Sequence, residues 1–134
     1  CRLISPYGQI FRALRPRWES RAANILLDEI NLKNGSGYDH NFVLQGEGMR
    51  PVAELTSPKT GISVTTSTTQ PGIQIYTANF LTDRKGKGGT AYGVRDAVCL
   101  ETQHFPDSIH HPEWPTCILR VGEKFHSVTS YTFG

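Results

Sequence analysis

The sequence lacks a long apolar run, a paired-cysteine spacing and a large charge excess, and each absence excludes a class of protein. No stretch approaches the ~20 apolar residues that span a bilayer, and no signal-peptide core opens the chain. No membrane partner is therefore expected. The three cysteines, Cys1, Cys99 and Cys117, are odd in number and have no CxxC spacing, which argues against a disulfide framework and a zinc site. Cys99 sits in a strand pattern and Cys117 beside Ile118 and Leu119. Both read as buried thiols, which suits a reducing, cytoplasmic compartment. The net charge is only +2, with six basic and three acidic residues in positions 1–36 and eight basic against nine acidic in the rest. A nucleic-acid partner needs a basic surface on the folded part, so that class is set aside. Lys85-Gly86-Lys87-Gly88-Gly89 reads as a flexible loop; no Ser or Thr follows its Gly-Lys pair, so it is not a phosphate-cradling loop. No Ser-His-Asp signature, metal-ligand spacing or internal repeat is present. The chain opens on Cys1 and its one methionine is Met49, which reads as a piece of something longer.

What is present points to a mainly β protein. A chain of 134 residues with 37% hydrophobic content is large enough to bury a core. Thirteen Gly and eight Pro fit many turns. Residues 1–19 show no consistent period. Ser20 reads as a helix N-cap, and Ala22, Ala23, Leu26, Leu27 and Ile30 follow at helical spacing until Asn34-Gly35. This predicts a short N-terminal helix, with a strand at Ile25–Leu27 as the rival. From Gly37 strands alternate with turns: 41–44, 52–55, 62–68, 73–77 and 98–103. Ile118 to Val121, the Gly122-Glu123 turn and Phe125 to Phe133 read as a terminal hairpin. Regular spacing of this kind predicts a β-sandwich or part of one.

Three polar side chains have a defined direction on these strands. Val98-Cys99-Leu100-Glu101-Thr102-Gln103 alternates so that Cys99, Glu101 and Gln103 share a face. Strands tolerate glutamate poorly, so Glu101 is either on a solvated sheet face or a functional carboxylate. Asp39, in Gly37-Tyr38-Asp39-His40-Asn41-Phe42, is either a turn residue satisfying local donors or a ligand-binding carboxylate. Gln74 lies between Ile73 and Ile75 and is either an ordinary outward polar residue or a ligand contact. Two carboxylates and a carboxamide beside Tyr76 are the usual equipment for sugar hydroxyls and the sugar's C–H face. His40 and His104 flank these residues. His110 and His111 are adjacent, so on an extended chain they point apart and do not share a metal.

Residues 37–134 resemble the C-terminal third of the galactose mutarotase (aldose 1-epimerase) family. The resemblance rests on Gly37-Tyr38-Asp39-His40-Asn41-Phe42, on Thr68-Thr69-Gln70-Pro71-Gly72-Ile73-Gln74-Ile75-Tyr76-Thr77, and on Cys99-Leu100-Glu101-Thr102-Gln103 with Pro106-Asp107. It implies part of a galactose-mutarotase-like β-sandwich whose open cleft binds a free aldose such as galactose or glucose. It assigns the general base to Glu101 and sugar-hydroxyl contacts to Asp39 and Gln74, and it requires no metal or organic cofactor. A glutamate of ordinary acidity, pKa about 4.3, is ionised at neutral pH and can take a proton from an anomeric hydroxyl.

The resemblance also marks a departure. In the family two active-site histidines and a sugar-binding asparagine-arginine pair lie in the N-terminal half. That half is absent from this sequence, and residues 1–36 match the family poorly, with only Phe11 to Pro16 and Ile25 to Leu32 similar to the segment that links to the Tyr-Asp-His motif. The five histidines of this chain do not occupy the acid position. Two functional readings follow: a portion of an aldose 1-epimerase that holds the base side of the site, or a non-catalytic sugar-binding module that keeps Asp39 and Gln74.

Overall fold

Strand-forming, alternating residues dominate the second half of the chain, and a computed structural model shows how they pair. It describes residues 2–4, 10–12, 37–57, 60–82, 84–94 and 96–134. The predicted helix over residues 20–34 lies outside the described residues. The larger sheet is antiparallel, in the order β2 (Ile10–Arg12), β1 (Arg2–Ile4), β3 (Asp39–Val43), β6 (Gly72–Tyr76) and β9 (Cys99–Gln103). A second sheet joins β10 (Thr129–Phe133), β5 (Ser63–Thr68) and β4 (Arg50–Thr56). The ribbon of β7 (Arg84–Lys85) and β8 (Ala91–Tyr92) stands apart from both.

The two larger sheets meet across a small apolar core. Phe42 from β3 and Ile73 from β6 are buried with Tyr38, and Ile75 and Leu100 extend the same face. From the facing sheet, Val52 and Ala53 of β4 pack against them. Neighbours on a regular strand point to opposite faces. Here the register of β4 on β5 shifts between Pro51 and Ala53, and this bulge lets both residues turn inward. Burying an Ile or Phe side chain contributes about 1.5–3 kcal/mol, so Phe42 and Ile73 anchor the contact.

Much of the remaining interior is polar. Thr66 and Thr68 of β5 are fully buried. The hydroxyl of Thr129 lies 3.0 Å from that of Thr68 and 2.5 Å from that of Thr102, linking β10 to both β5 and β9. The Tyr131 hydroxyl donates to the Leu100 carbonyl at 2.7 Å. Arg50 adds a polar clamp at the start of β4. Its guanidinium donates to the carbonyls of Gln45, Gly48, Thr68 and Gln70 at 2.7–3.1 Å. The turn after β3 is thereby fixed to the connection between β5 and β6.

Four expectations need correction. Residues 118–121 form no strand, and β10 pairs with β5, register Thr129↔Thr68 to Phe133↔Val64, in place of a terminal hairpin. The Gly122-Glu123 turn does form, with Gly122 at φ 88° and Glu123 N–H donating to Arg120 O at 3.0 Å. Cys117 is exposed and Cys99 half-buried, so neither is a fully buried thiol. The Lys85–Gly89 stretch is structured: Lys85 is in β7, Lys87–Gly89 is a 3-10 turn, and the Tyr92 ring lies where a Cβ on residue 86 would stand. Finally, His110 and His111 both approach Asp107, because Ser108–His110 is a 3-10 turn and the chain there is not extended.

Candidate functional site

Register brings the three candidate residues together. In the central strands Asp39 stands opposite Tyr76, Gln74 opposite Glu101, and Gly72 opposite Gln103. With a side-chain period of two, Asp39, Gln74, Tyr76, Glu101 and Gln103 all leave the face turned away from the core. Phe42, Ile73 and Leu100 leave the opposite face and pack inside. The same alternation that builds the core therefore places the polar residues on one outer surface.

Together with Phe80 and Pro106 these side chains line an open cleft of about 440 Å³. That volume falls within the roughly 300–1,000 Å³ range of small-molecule sites. Gln74 Nε2 donates to Asp39 Oδ1 at 2.8 Å, so the carboxamide and the first carboxylate act as a unit. Glu101 is exposed on the next strand. Phe80, 79% exposed, stacks on Tyr76 with ring centroids 6.5 Å apart and planes 24° apart. Its backbone N–H donates to the Tyr76 hydroxyl at 3.0 Å, which holds the ring at the rim.

Carboxylates and carboxamides of this kind accept from and donate to hydroxyl groups, and an exposed aromatic face suits C–H groups. Histidine is absent from this lining. His40 alternates with Asp39 and faces inward, edge-on to Tyr38 at 5.7 Å, with its Nδ1 accepting from the Asp39 N–H at 3.0 Å. His104 lines a separate cavity of about 710 Å³ beneath residues 115–127. Among the described residues no group of three or more His, Cys, Asp or Glu side chains is arranged to hold a metal ion.

Pro106 in the cleft wall leads into a tied-down loop. Asp107, at φ 65°, hydrogen-bonds His110 Nδ1 and lies 3.6 Å from His111 Nε2. His111 Nδ1 reaches Glu113 Oε1 at 3.0 Å, and its ring stacks on Trp114 at 3.8 Å. The His110 hydrogen bond holds the Asp107 carboxyl below its usual range, with the charges of both histidines adding to it. The Glu113 carboxyl is held low by a backbone hydrogen bond, and then by its bond to His111.

With this geometry in place, comparison with known proteins is decisive. The aldose 1-epimerase family model matches residues 3–132. The chain belongs to the aldose 1-epimerase family. It is 40% identical over 133 residues to the galactose mutarotase of Bos taurus, covering 98% of this chain and 39% of that protein. It is 36% identical over 124 residues to the aldose 1-epimerase of Escherichia coli (strain K12), covering 87% and 36%. The crystal structure of a GalM/aldose epimerase homologue from C. elegans superimposes with a TM-score of 0.66 at 29% identity, covering 72% of this chain and 30% of that one. The fold is thus mainly β and of the galactose mutarotase type. The chain spans little more than a third of the length of the first two relatives.

Sequence reasoning named Asp39, Gln74 and Glu101 for this face, and they lie on it together. Phe80 and Pro106 were missed as members of the cleft. An aromatic residue just after a strand bearing Gln74 and Tyr76 was the signal available for Phe80. For Asn41, buried on the same face, a polar residue between the inward His40 and Phe42 gave only its direction.

Proposed function

We propose that this chain is the C-terminal portion of an aldose 1-epimerase and that its cleft binds a free aldose, galactose or glucose. Residues 37–134 carry that portion, and Glu101 is the general base. Asp39 and Gln74 hydrogen-bond sugar hydroxyls, and the exposed Phe80 ring covers a C–H face. The observation that carries the reading is the convergence of these side chains, from β3, β6 and β9, on one outer face and one cleft.

The chemistry is redox-neutral. Glu101 takes the proton of the anomeric hydroxyl, the C1–O bond to the ring oxygen breaks, and C1 becomes an aldehyde carbonyl. The electron pair of the broken bond passes to the ring oxygen, which takes a proton from a general acid. Rotation about C1–C2 presents the other carbonyl face, and the reverse steps close the opposite anomer. Each transfer needs a group within hydrogen-bond reach, and Asp39 and Gln74 hold the sugar while the ring is open.

On this reading the acid comes from outside the chain, and the residues that line the cleft include no histidine. In the family that role belongs to histidines of the N-terminal half. The chain alone is therefore a binder of aldose with little or no catalysis, and in a cytoplasmic setting its exposed Cys117 thiol stays reduced. Polarimetry of freshly dissolved α-D-galactose tests this. The chain should leave the spontaneous rate nearly unchanged, whereas in a longer protein that contains it Glu101→Gln should remove most of the catalysed rate. A rate from the chain alone that vanished with Glu101→Gln would show that the acid lies within it. Full activity in the longer Glu101→Gln protein would remove Glu101 as base.

A further inference from the structure

Asn41 is fully buried, at 0% exposure, yet neither polar atom of its carboxamide has a hydrogen-bond partner. An unpaired amide in that position destabilises the fold, and an apolar residue of similar size would fill the space better. Being wholly covered, Asn41 does not touch a sugar in the cleft. Whatever it does, it does through a neighbour.

The register identifies the neighbour. Asn41 stands directly opposite Gln74, and Gln74 directly opposite Glu101, so the three form one row across β3, β6 and β9. Thr77 N–H donates to Tyr38 O, and Leu44 N–H to Pro71 O, which makes 38–77 and 44–71 hydrogen-bonded pairs of the ladder. Alternation then makes Asn41–Gln74 a non-hydrogen-bonded pair, the kind in which opposing side chains come closest. Gln74 uses its Nε2 on Asp39 Oδ1, while its Oε1 is buried and without a partner. An unused acceptor and an unused donor thus belong to side chains that stand directly opposite in the register. The Oδ1 end of Asn41 is turned to Gly72, where an added Cβ would lie 2.8 Å from it. That leaves Nδ2 as the end available to Gln74.

We propose that Asn41 is a positioning residue for Gln74. When a sugar hydroxyl competes with Asp39 for Gln74 Nε2, the Gln74 carboxamide turns and its Oε1 accepts a hydrogen bond from Asn41 Nδ2. The bond orders Gln74 against the ligand and gives both buried groups the partner that they lack in the free protein. This rests on the reading of the cleft as an aldose site.

The test is an NMR titration of ¹⁵N-labelled chain with D-galactose, alongside thermal melts. In the unsubstituted chain, saturating galactose moves the side-chain NH₂ signals of both Gln74 and Asn41. Asn41→Leu melts at or above the temperature of the unsubstituted chain but binds galactose at least tenfold more weakly, a combination that a merely structural role does not produce. If Asn41→Leu fails to melt cooperatively, Asn41→Ala carries the same binding expectation. Galactose binding as tight as that of the unsubstituted chain in the folded variant, or movement of Gln74 with Asn41 stationary, overturns the proposal alone. Absence of saturable binding by the unsubstituted chain overturns the aldose reading and this proposal with it.

Discussion

Gly72→Ala is a demanding test of how the site is supported. Gly72 begins β6 beneath Asn41 and Phe105. A Cβ there would stand 2.8 Å from Asn41 Oδ1, and 2.9 and 3.1 Å from two Phe105 ring carbons. Ordinary contact for such atoms begins at 3.4 Å, so the neighbours must give by about half an ångström. Both are buried, Asn41 at 0% and Phe105 at 8% exposure. Overpacking of this kind typically costs about 1–3 kcal/mol. With roughly 2–8 °C of melting temperature per kcal/mol for domains bracketing this size, a fall of several degrees or more is expected. Gly93→Ala is the control, since among the described residues its Cβ would meet only Asp96 Oδ2, at 3.7 Å, and surface changes of that kind stay within about 0.5 kcal/mol. Differential scanning calorimetry of both variants decides the matter. A Gly72→Ala melt indistinguishable from that of Gly93→Ala would refute the packing argument.

Other expectations follow from the same structure. Arg50→Lys keeps a charge but not a planar fork of donors, so it should lose most of the stability that Arg50→Ala loses, about 1.5–3 kcal/mol on the scale of hydrogen bonds to a charged group. A urea midpoint for Arg50→Lys equal to that of the unsubstituted chain would show the four-carbonyl clamp to be idle. The Asp107 and Glu113 carboxyls are held below their ordinary values of 3.8 and 4.5. Their contribution to the loop is therefore present above those values and is lost as pH falls through the depressed ones. Carboxyl ¹³C titration should give midpoints below 3.8 and 4.5; midpoints at or above them would contradict the His110 and His111 contacts. Phe80→Ala should weaken galactose binding several-fold without lowering the melt, because the 79% exposed ring contributes little to the core. Unchanged affinity would remove Phe80 from the site.

The legible part of the fold was whatever depends on local alternation. Ile73 and Ile75 against Gln74 and Tyr76, and Leu100 against Glu101, assign faces without knowledge of partners, and those faces became core and cleft. Pairing across long distances was not legible. Nothing within Thr129–Phe133 states that its partner is Ser63–Thr68, and residues 118–121 look like a strand but pair with no strand among the described residues. The short strands Arg2–Ile4 and Ile10–Arg12 escaped notice among arginines that show no period. Buried polarity was equally hidden, because Asn41 and Thr66 are residues that composition assigns to the surface. Motif resemblance went further than periodicity, since it chose Asp39, Gln74 and Glu101 from many similar polar residues. Register then brought all three to one face.

The central claim is that the cleft between β3, β6 and β9 is an aldose site. Titration of the chain with D-galactose, followed by backbone amide shifts, tests it most directly. Saturable changes concentrated at Asp39, Gln74, Phe80 and Glu101 are expected, and their loss in Asp39→Ala with the melt preserved. Saturable changes centred on the cavity beneath residues 115–127, or binding that survives Asp39→Ala unaltered, would contradict it.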